Sequence, residues 1–391
     1  PTRRSSDLKA DPTITKLAHA RVYYTLIKAG VRDIHENHDP HVQRLYKDES
    51  IKLYDFFTDE FFGIEKTISQ IVRYFHAASL KGEESRQVLY LMGPVGSGKS
   101  SLAFFFADKF FRGAAAAAEG TTMSAPAHIG KFTANNPGIM TLQGTNQYVV
   151  GKESGVVIDV ALSADSNMDG IIEQAEAMGI KKIEKILLTH IHSDHCGGAL
   201  ALRRRSGAKL GIHRSRKGYL GGEDFQYDDN DRISFGGGEL DVLHTPGHES
   251  GHCCFYEGGD KVLFSGDNIL GYGTAVIHPP DGNMTDYMKT LERLLGIEMS
   301  LILPGHGPLI GKPEAKVREY IKHRLEREQQ VLTALRNGRG TIGDITEAIY
   351  VEVSAALKRV AEFSVQAHLE KLEREGKVKR EGNRYQLSSD H

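Results

Sequence analysis

The chain has 391 residues, room for two or three domains at roughly 100–200 residues each. Its 40% hydrophobic and 26% charged residues form an ordinary soluble composition, and a net charge of −2 excludes a polybasic chain drawn to nucleic acid or anionic membrane by charge alone. The longest apolar run, Leu102 to Phe106, is far short of the roughly 20 residues that span a bilayer, and three cysteines with no secretory pattern in the opening residues make a reducing cytoplasm the expected location.

Residues 1–8, Pro1-Thr2-Arg3-Arg4-Ser5-Ser6-Asp7-Leu8, resemble the translation of a sequencing-library adapter and are read as a scar outside the fold. Residues 9–112 form a first unit. In it Ile64, Ile68, Ile71 and Phe75 predict an amphipathic helix over 64–75, and Val88–Met92 a short strand ending at Gly93. Residues 113–124, with five consecutive alanines, lack periodicity and read as a linker or junction.

Residues 125–312 form the second unit. Short β-rich runs at 147–150, 156–160, 186–189, 240–243, 262–265 and 301–304 each end at a polar or Gly/His cluster. Helical stretches at 170–177 and 286–295 lie among them, and this alternation predicts an α/β layered domain. Residues 313–391 form the third unit. Pro313 suits a first helical position, and Val317, Ile321, Leu325 and Leu332 mark a long amphipathic helix. Further helices are predicted over 341–350 and 354–375. The last shows Ala361, Val365, Leu369 and Leu372 on one face and ends at Gly376. Lys377–Arg380 and Arg384–Leu387 form a hairpin about an Asn/Gly turn. Three helices and a hairpin are the layout of a winged helix.

Thr189-His190-Ile191-His192-Ser193-Asp194-His195 follows a predicted strand. Four candidate ligands in six residues have no structural use of their own, because His and Asp are exposed unless paired. A turn after a strand aims alternate side chains into one cleft. Imidazole and carboxylate suit borderline divalent ions, zinc first. Thr245-Pro246-Gly247-His248, Phe264-Ser265-Gly266-Asp267 and Leu303-Pro304-Gly305-His306 follow or end three further strands, and their Gly and Pro permit tight turns. His244 and His252 read as structural, Cys196, Cys253 and Cys254 as small buried hydrophobes, and Arg203–Arg205 as a solvated helix face.

This ordered set of motifs resembles that of the metallo-β-lactamase-fold hydrolases. The resemblance implies an α/β class, with an αβ/βα sandwich carrying a two-metal site between its sheets and a winged helix after it. It places His190, His192 and His248 on one zinc and Asp194, His195 and His306 on a second, with Asp267 bridging both. It implies a metal-bridging hydroxide as nucleophile. Asp194 would be both ligand and the catalytic group that orients the attacking water or takes its proton. Asp159, at the end of its strand, would hold a ligand histidine from behind.

Asn136-Pro137-Gly138 with Thr141-Leu142-Gln143-Gly144-Thr145-Asn146, then Gly266–Gly271 and Pro304–Pro308, resemble more narrowly the β-lactamase-like protein 2 group, over nearly all of 126–391. Gln147, where relatives often carry Thr, departs from it. The 38 residues between Asp267 and His306 leave no room for the inserted domain of the RNA-processing nucleases of this fold. The group includes an endoribonuclease, so the expected substrate is a phosphodiester of single-stranded RNA. The alternative is a small-molecule lactone, thioester or β-lactam. Eight Lys/Arg against five Asp/Glu over 358–384 are a weak positive bias. The third unit is therefore expected to touch RNA, to wall the cleft or to form a homodimer contact.

Gly93-Pro94-Val95-Gly96-Ser97-Gly98-Lys99-Ser100 satisfies G-x-x-x-x-G-K-[ST] between a predicted strand and helix. Backbone N–H groups of such a loop cradle phosphates, Lys99 reaches the β/γ positions and Ser100 holds Mg²⁺. Residues 10–102, with Tyr54-Asp55-Phe56-Phe57 and Phe62-Gly63-Ile64-Glu65-Lys66, resemble the N-terminal part of PrkA-type AAA+ serine kinases. The resemblance stops near Leu102, before a Walker-B acid or the remaining strands. Residues 9–112 are expected to be a truncated P-loop AAA+ fragment joined to a complete hydrolase. Gly93, Gly98, Lys99 and Ser100 would then be vestigial, and ATP/Mg²⁺ without function there. An ATP-binding regulatory or kinase-like protein is the alternative of another class.

Overall fold

The computed structural model describes residues 23, 26–27, 30–33, 52–54, 65–79, 124–138, 140–350 and 355–388. The chain divides into two compact units, 1–122 and 123–391. In the first, β1 (Val31–Asp33) pairs antiparallel with β2 (Lys52–Tyr54), and α1 spans Glu65–Ser79. Among its described side chains Ile68, Ile71 and Val72 are buried, at helical spacing, as the apolar stripe requires. The expected strand at 88–92, the P-loop residues Gly93, Gly98, Lys99 and Ser100, the run 102–106, nearly all of the linker and residues 1–8 lie outside the described residues.

The second unit is built on two sheets. The six-stranded sheet has the order β3 (Ile129–Thr133), β4 (Asn146–Gly151), β5 (Ser154–Ile158), β6 (Lys182–Leu187), β7 (Lys209–His213), β8 (Phe225–Tyr227). Its first two pairings are antiparallel and the rest parallel. The five-stranded sheet runs β13 (Leu301–Pro304), β12 (Val262–Gly266), β11 (Cys253–Glu257), β10 (Gly238–His244), β9 (Arg232–Phe235). Strands β12 and β13 are parallel, and the other pairs antiparallel.

Strand alternation sends successive side chains to opposite faces. Tyr148, Val150, Val156 and Ile158 thus meet Leu240, Val242, Phe255 and Phe264 between the sheets. Val149, Val157 and Ile186 turn outward onto α2 (Asp165–Ala177) and α4 (Ala199–Ser206) through Met168, Ile171 and Leu202. Leu243, Cys254, Leu263 and Ile302 turn onto α5 (Met284–Leu295) and the long α6 (Pro313–Arg336). Both sheets are therefore covered on both faces, and their central strands read as continuous apolar runs. The single turn α3 (Ser193–Cys196) follows β6.

Helix α6 leads into α7 (Ile342–Ile349), α8 (Ala355–Arg374) and the hairpin β14 (Val378–Glu381)–β15 (Arg384–Leu387). Thr341 starts α7 with a capping box to Asp344. Gly376, at φ 72°, ends α8 in the left-handed conformation that glycine adopts without strain. Ala361, Val365, Leu369 and Leu372 are buried as expected. The stripe expected on α6 is rotated: Leu325 is 51% exposed, and the buried side is Val317, Tyr320, Arg324, Glu328 and Val331. Polar groups with internal partners occupy positions that hydrophobicity alone assigns to leucine.

Candidate metal centre

Strands β5, β6, β10, β12 and β13 all deliver their carboxyl ends to one edge of the sandwich. Strand β10 runs with β12, because each is antiparallel to β11. The two sheets are tied together there. Asn146 N–H donates to Gly305 O at 2.7 Å, and Tyr148 Oη–H donates to Pro304 O at 2.7 Å. The seven His and Asp residues expected at the site converge at this edge in two groups. Donor atoms of His190, His192, His248 and Asp267 lie within 4.8 Å of one another, and so do those of Asp194, His195 and His306.

Four of the five histidines are aimed by what the far nitrogen touches. His248 Nδ1 donates to Val276 O at 2.7 Å, His306 Nδ1 faces Gly144 O at 3.2 Å, and His195 Nδ1 faces Asp159 Oδ2 at 2.8 Å. His190 Nδ1 faces Thr189 Oγ1 at 3.0 Å, and that hydroxyl donates to Asp159 Oδ2. A nitrogen so engaged leaves Nε2 of the neutral ring with its lone pair toward the centre. His192, at the start of α3, presents Nδ1 instead.

The inner nitrogens crowd one another. His192 Nδ1 lies 2.9 Å from His190 Nε2 and 3.0 Å from His248 Nε2, and His195 Nε2 lies 3.2 Å from His306 Nε2. Facing imidazole nitrogens share one hydrogen at most, so His192 Nδ1 cannot satisfy two neighbours. Asp267 joins the groups. Its Oδ1 is 3.3 Å from His195 Nε2 and 3.4 Å from His306 Nε2, while Oδ2 is 3.8 Å from His248 Nε2. Buried Oδ1 makes no hydrogen bond among the described residues. Asp194 Oδ2 stands 3.3 Å from His306 Nε2. Converging lone pairs and a buried carboxylate without a donor are the donor chemistry of divalent cations.

The electrostatics separate the groups. Burial holds His190 well below the usual histidine range and lowers His248, while the desolvation of its inner side and the nearby His248 take His192, otherwise exposed, down to about 4. Burial also opposes charge on His195 and His306, but Asp267 and the neighbouring carboxylates outweigh it. His195 is raised well above its ordinary value and His306 to about 9. Burial would push the carboxyl of Asp267 up, yet His306 and His195 hold it far down.

The turns that carry these groups need glycine at two places. A Cβ on Gly266 (φ 48°) would meet His252 Nε2 at 2.6 Å, and one on Gly305 would meet Asp267 Oδ1 at 2.7 Å. Asp159 itself holds a positive φ of 61° and accepts Thr189 N–H at 2.7 Å. His252, read from the sequence as structural, is buried and accepts Asp267 N–H at Nε2, 3.2 Å away. His244 stacks on His213 outside the centre. Cys196, Cys253 and Cys254 are free and buried. Arg203 pairs with Asp224 and Arg205 with Asp169. Gln147 accepts Ala161 N–H and bonds Asn167. Sequence reasoning missed Thr189, Tyr320 and Arg324. The last two stand on the buried side of α6, where a charge amid apolar spacing was the available signal. A third group, His128, Glu257 and Asp260, is accounted for by a turn: Glu257 accepts Gly259 and Asp260 N–H, and His128 pairs with Asp260.

Comparisons with known proteins agree with this architecture. The metallo-beta-lactamase superfamily profile matches residues 140–306, the beta-lactamase associated winged helix domain residues 341–386, and the PrkA AAA domain residues 6–115. A beta-lactamase-like protein 2 homolog of Drosophila melanogaster is 35% identical over 266 residues, 62% of this chain and 87% of its own length. Its Caenorhabditis elegans counterpart is 32% identical over 256 residues, 64% of this chain and 85% of its own length. The crystal structure of a metallo-beta-lactamase family protein from Thermus thermophilus superposes with a TM-score of 0.58 at 21% identity, covering 68% of this chain and all of that one.

Proposed function

The chain belongs to the metallo-beta-lactamase superfamily, in the group of β-lactamase-like protein 2, and is a metal-dependent hydrolase; from that premise we propose a binuclear zinc enzyme that cleaves phosphodiesters of single-stranded RNA. The observation that carries the two-cation reading is Asp267, with one oxygen toward each histidine group. In this reading His190, His192 and His248 would hold one divalent cation, Asp194, His195 and His306 would hold the other, and Asp267 would serve both. Such a pair supplies a Lewis acid and lowers the pKa of water toward about 7.

The protein's own groups do the rest. Asp194 turns Oδ2 to His306, and its other oxygen is left to orient the attacking water and take its proton. Burial raises the carboxyl of Asp194, but His306 and His195 outweigh this and lower it, so it is ionised and able to accept. Asp159 fixes the ring of His195, and Thr189 carries the same carboxylate's hold to His190. Water attacks phosphorus, the phosphorus–oxygen bond to the leaving nucleoside breaks, and the proton passes to that leaving oxygen.

The RNA assignment is supported by the wing, where Lys379, Arg380 and Arg384 are exposed on β14 and β15. Among the described residues no helix is long and apolar enough to cross a membrane. The test is cleavage of single-stranded RNA by the zinc-loaded full-length chain beside Asp194→Ala. Cleavage that the variant loses supports the assignment. Turnover of a lactone, thioester or β-lactam without RNA cleavage replaces it with a small-ester hydrolase.

A further inference from the structure

The segment from Asp267 to Asn283, between β12 and α5, has no regular secondary structure, yet it carries one donor of the centre and the carbonyl that aims another. Loops of this length keep their shape only when tied down. Some ties come from the neighbouring turns, such as Gly271 N–H to His306 O and Tyr287 Oη–H to Asn268 O, and two side chains of helix α6 add others. Tyr320 Oη accepts Leu270 N–H at 2.8 Å, three residues beyond Asp267. One helical turn later Arg324, only 2% exposed, donates its guanidinium to Ala275 O and lies 5.2 Å from the centroid of the Tyr287 ring. The next carbonyl, Val276 O, accepts Nδ1–H of His248. The ring of Phe363 of α8 lies against that of His278 in the same segment, tilted by 31°, with centroids 3.6 Å apart.

Burying a guanidinium among apolar neighbours is costly unless its donors are used. Here one donor is used, Nη2 on Ala275 O, while Nε has no partner among the described residues. Two consecutive peptide carbonyls are held, one by Arg324 and one by His248. We infer that Arg324 is a positioning residue for His248, acting through Ala275-Val276, and that helix α6 is thereby part of the scaffold of the metal centre. This rests on the proposed role of His248 as a metal ligand. Without Arg324 the Val276 carbonyl loses its fixed direction. His248 then loses the partner that sets its tautomer and ring orientation, while His195 and His306 keep theirs, Asp159 and Gly144.

The test compares full-length wild type with Arg324→Met, which keeps an apolar stem against Tyr287 and removes the donor. Each protein is freed of metal and titrated with cobalt(II), followed by visible absorption. We expect Arg324→Met to weaken one cobalt equivalent about tenfold or more and to leave the other unchanged. The weakened equivalent is the one that His248→Ala also removes, and Arg324→Lys restores part of the loss. Equal weakening of both equivalents, or none, overturns the assignment. If Arg324→Met does not fold, Arg324→Gln carries the same test: selective loss supports the role, and unchanged or parallel affinities overturn it. The wild-type titration reads the underlying assignment separately. No cobalt uptake by wild type contradicts the metal centre itself, whereas two equivalents without selective loss contradict only the role of Arg324.

Discussion

Asp159 and His195 face each other across 2.8 Å, Oδ2 to Nδ1, with both side chains almost wholly buried. The aspartate holds this position at a φ of 61°, in the left-handed region, fixed by two bonds from Thr189. Carboxylates behind ligand histidines set ring orientation and basicity, and their loss costs about 10–100-fold in metal affinity. Asp159→Asn, which keeps the volume and loses the charge, should weaken zinc at the His195 group by that order. Competition with a chromophoric chelator measures it, and unchanged zinc affinity would refute the role.

The two groups should differ in proton linkage. His195 and His306, both raised and the latter to about 9, hold one extra proton between their facing Nε2 atoms at neutral pH in the metal-free chain, whereas His190 and His248 are held neutral and His192 titrates only near 4. A cation entering the second group must displace that proton, so uptake at about pH 7.5 releases it, and affinity there rises as pH climbs through about 9. Cation entry to the first group releases none at that pH. The same raised value gives the metal-free fold stability that is complete below the unfolded histidine pKa of about 6.5 and lost as pH rises through about 9. A pH-stat titration with zinc distinguishes the cases; proton-free uptake of both equivalents would contradict the assignment.

Gly305→Ala should separate activity from stability. Its new methyl would stand 2.7 Å from both Asp267 Oδ1 and His195 Cε1. Overpacking of this kind costs about 1–3 kcal/mol of stability, too little to unfold a typical domain, but it displaces the carboxylate that joins the groups. Hydrolysis should fall more than about tenfold, as misplacements of about 1 Å do at reacting centres. A thermal melt and kcat/KM on the same sample decide, and full activity in a folded variant counts against the role of Asp267.

Charge reversal on the wing tests the substrate. Lys379, Arg380 and Arg384 are exposed, and Arg380 lies 5.6 Å from the centroid of the Tyr385 ring. Their replacement by glutamate should weaken RNA cleavage uniformly across sequences and reduce the salt slope by about one per lost phosphate contact. Turnover of a small ester should not change. A loss of both activities together would point to the fold and away from RNA.

Much of this centre is legible in the sequence, because its donors sit in dense His/Asp clusters at strand ends with Gly and Pro beside them. Strands with inward and outward apolar faces were also legible. Less so were β7 and β8, which are short and carry Lys, Gly or Gln, and β9, whose Arg-Ile-Ser-Phe alternation buries one face only. Helix α5 starts at Met284, ahead of the expected 286, because Asn283 caps it by accepting Thr285 N–H. Arg324 escaped for a different reason. Periodicity assigns the inner stripe of α6 to Leu325, and the carbonyl of Ala275, 49 residues away, with the ring of Tyr287, makes a buried charge acceptable beside it. Contacts between distant loops leave no local pattern.

The proposed enzyme has two cation sites joined by Asp267. The most direct measurement is the zinc content of the full-length chain, reconstituted, freed of excess metal and assayed by elemental analysis against protein concentration. Two zinc ions per chain is the predicted result; one or fewer would contradict it.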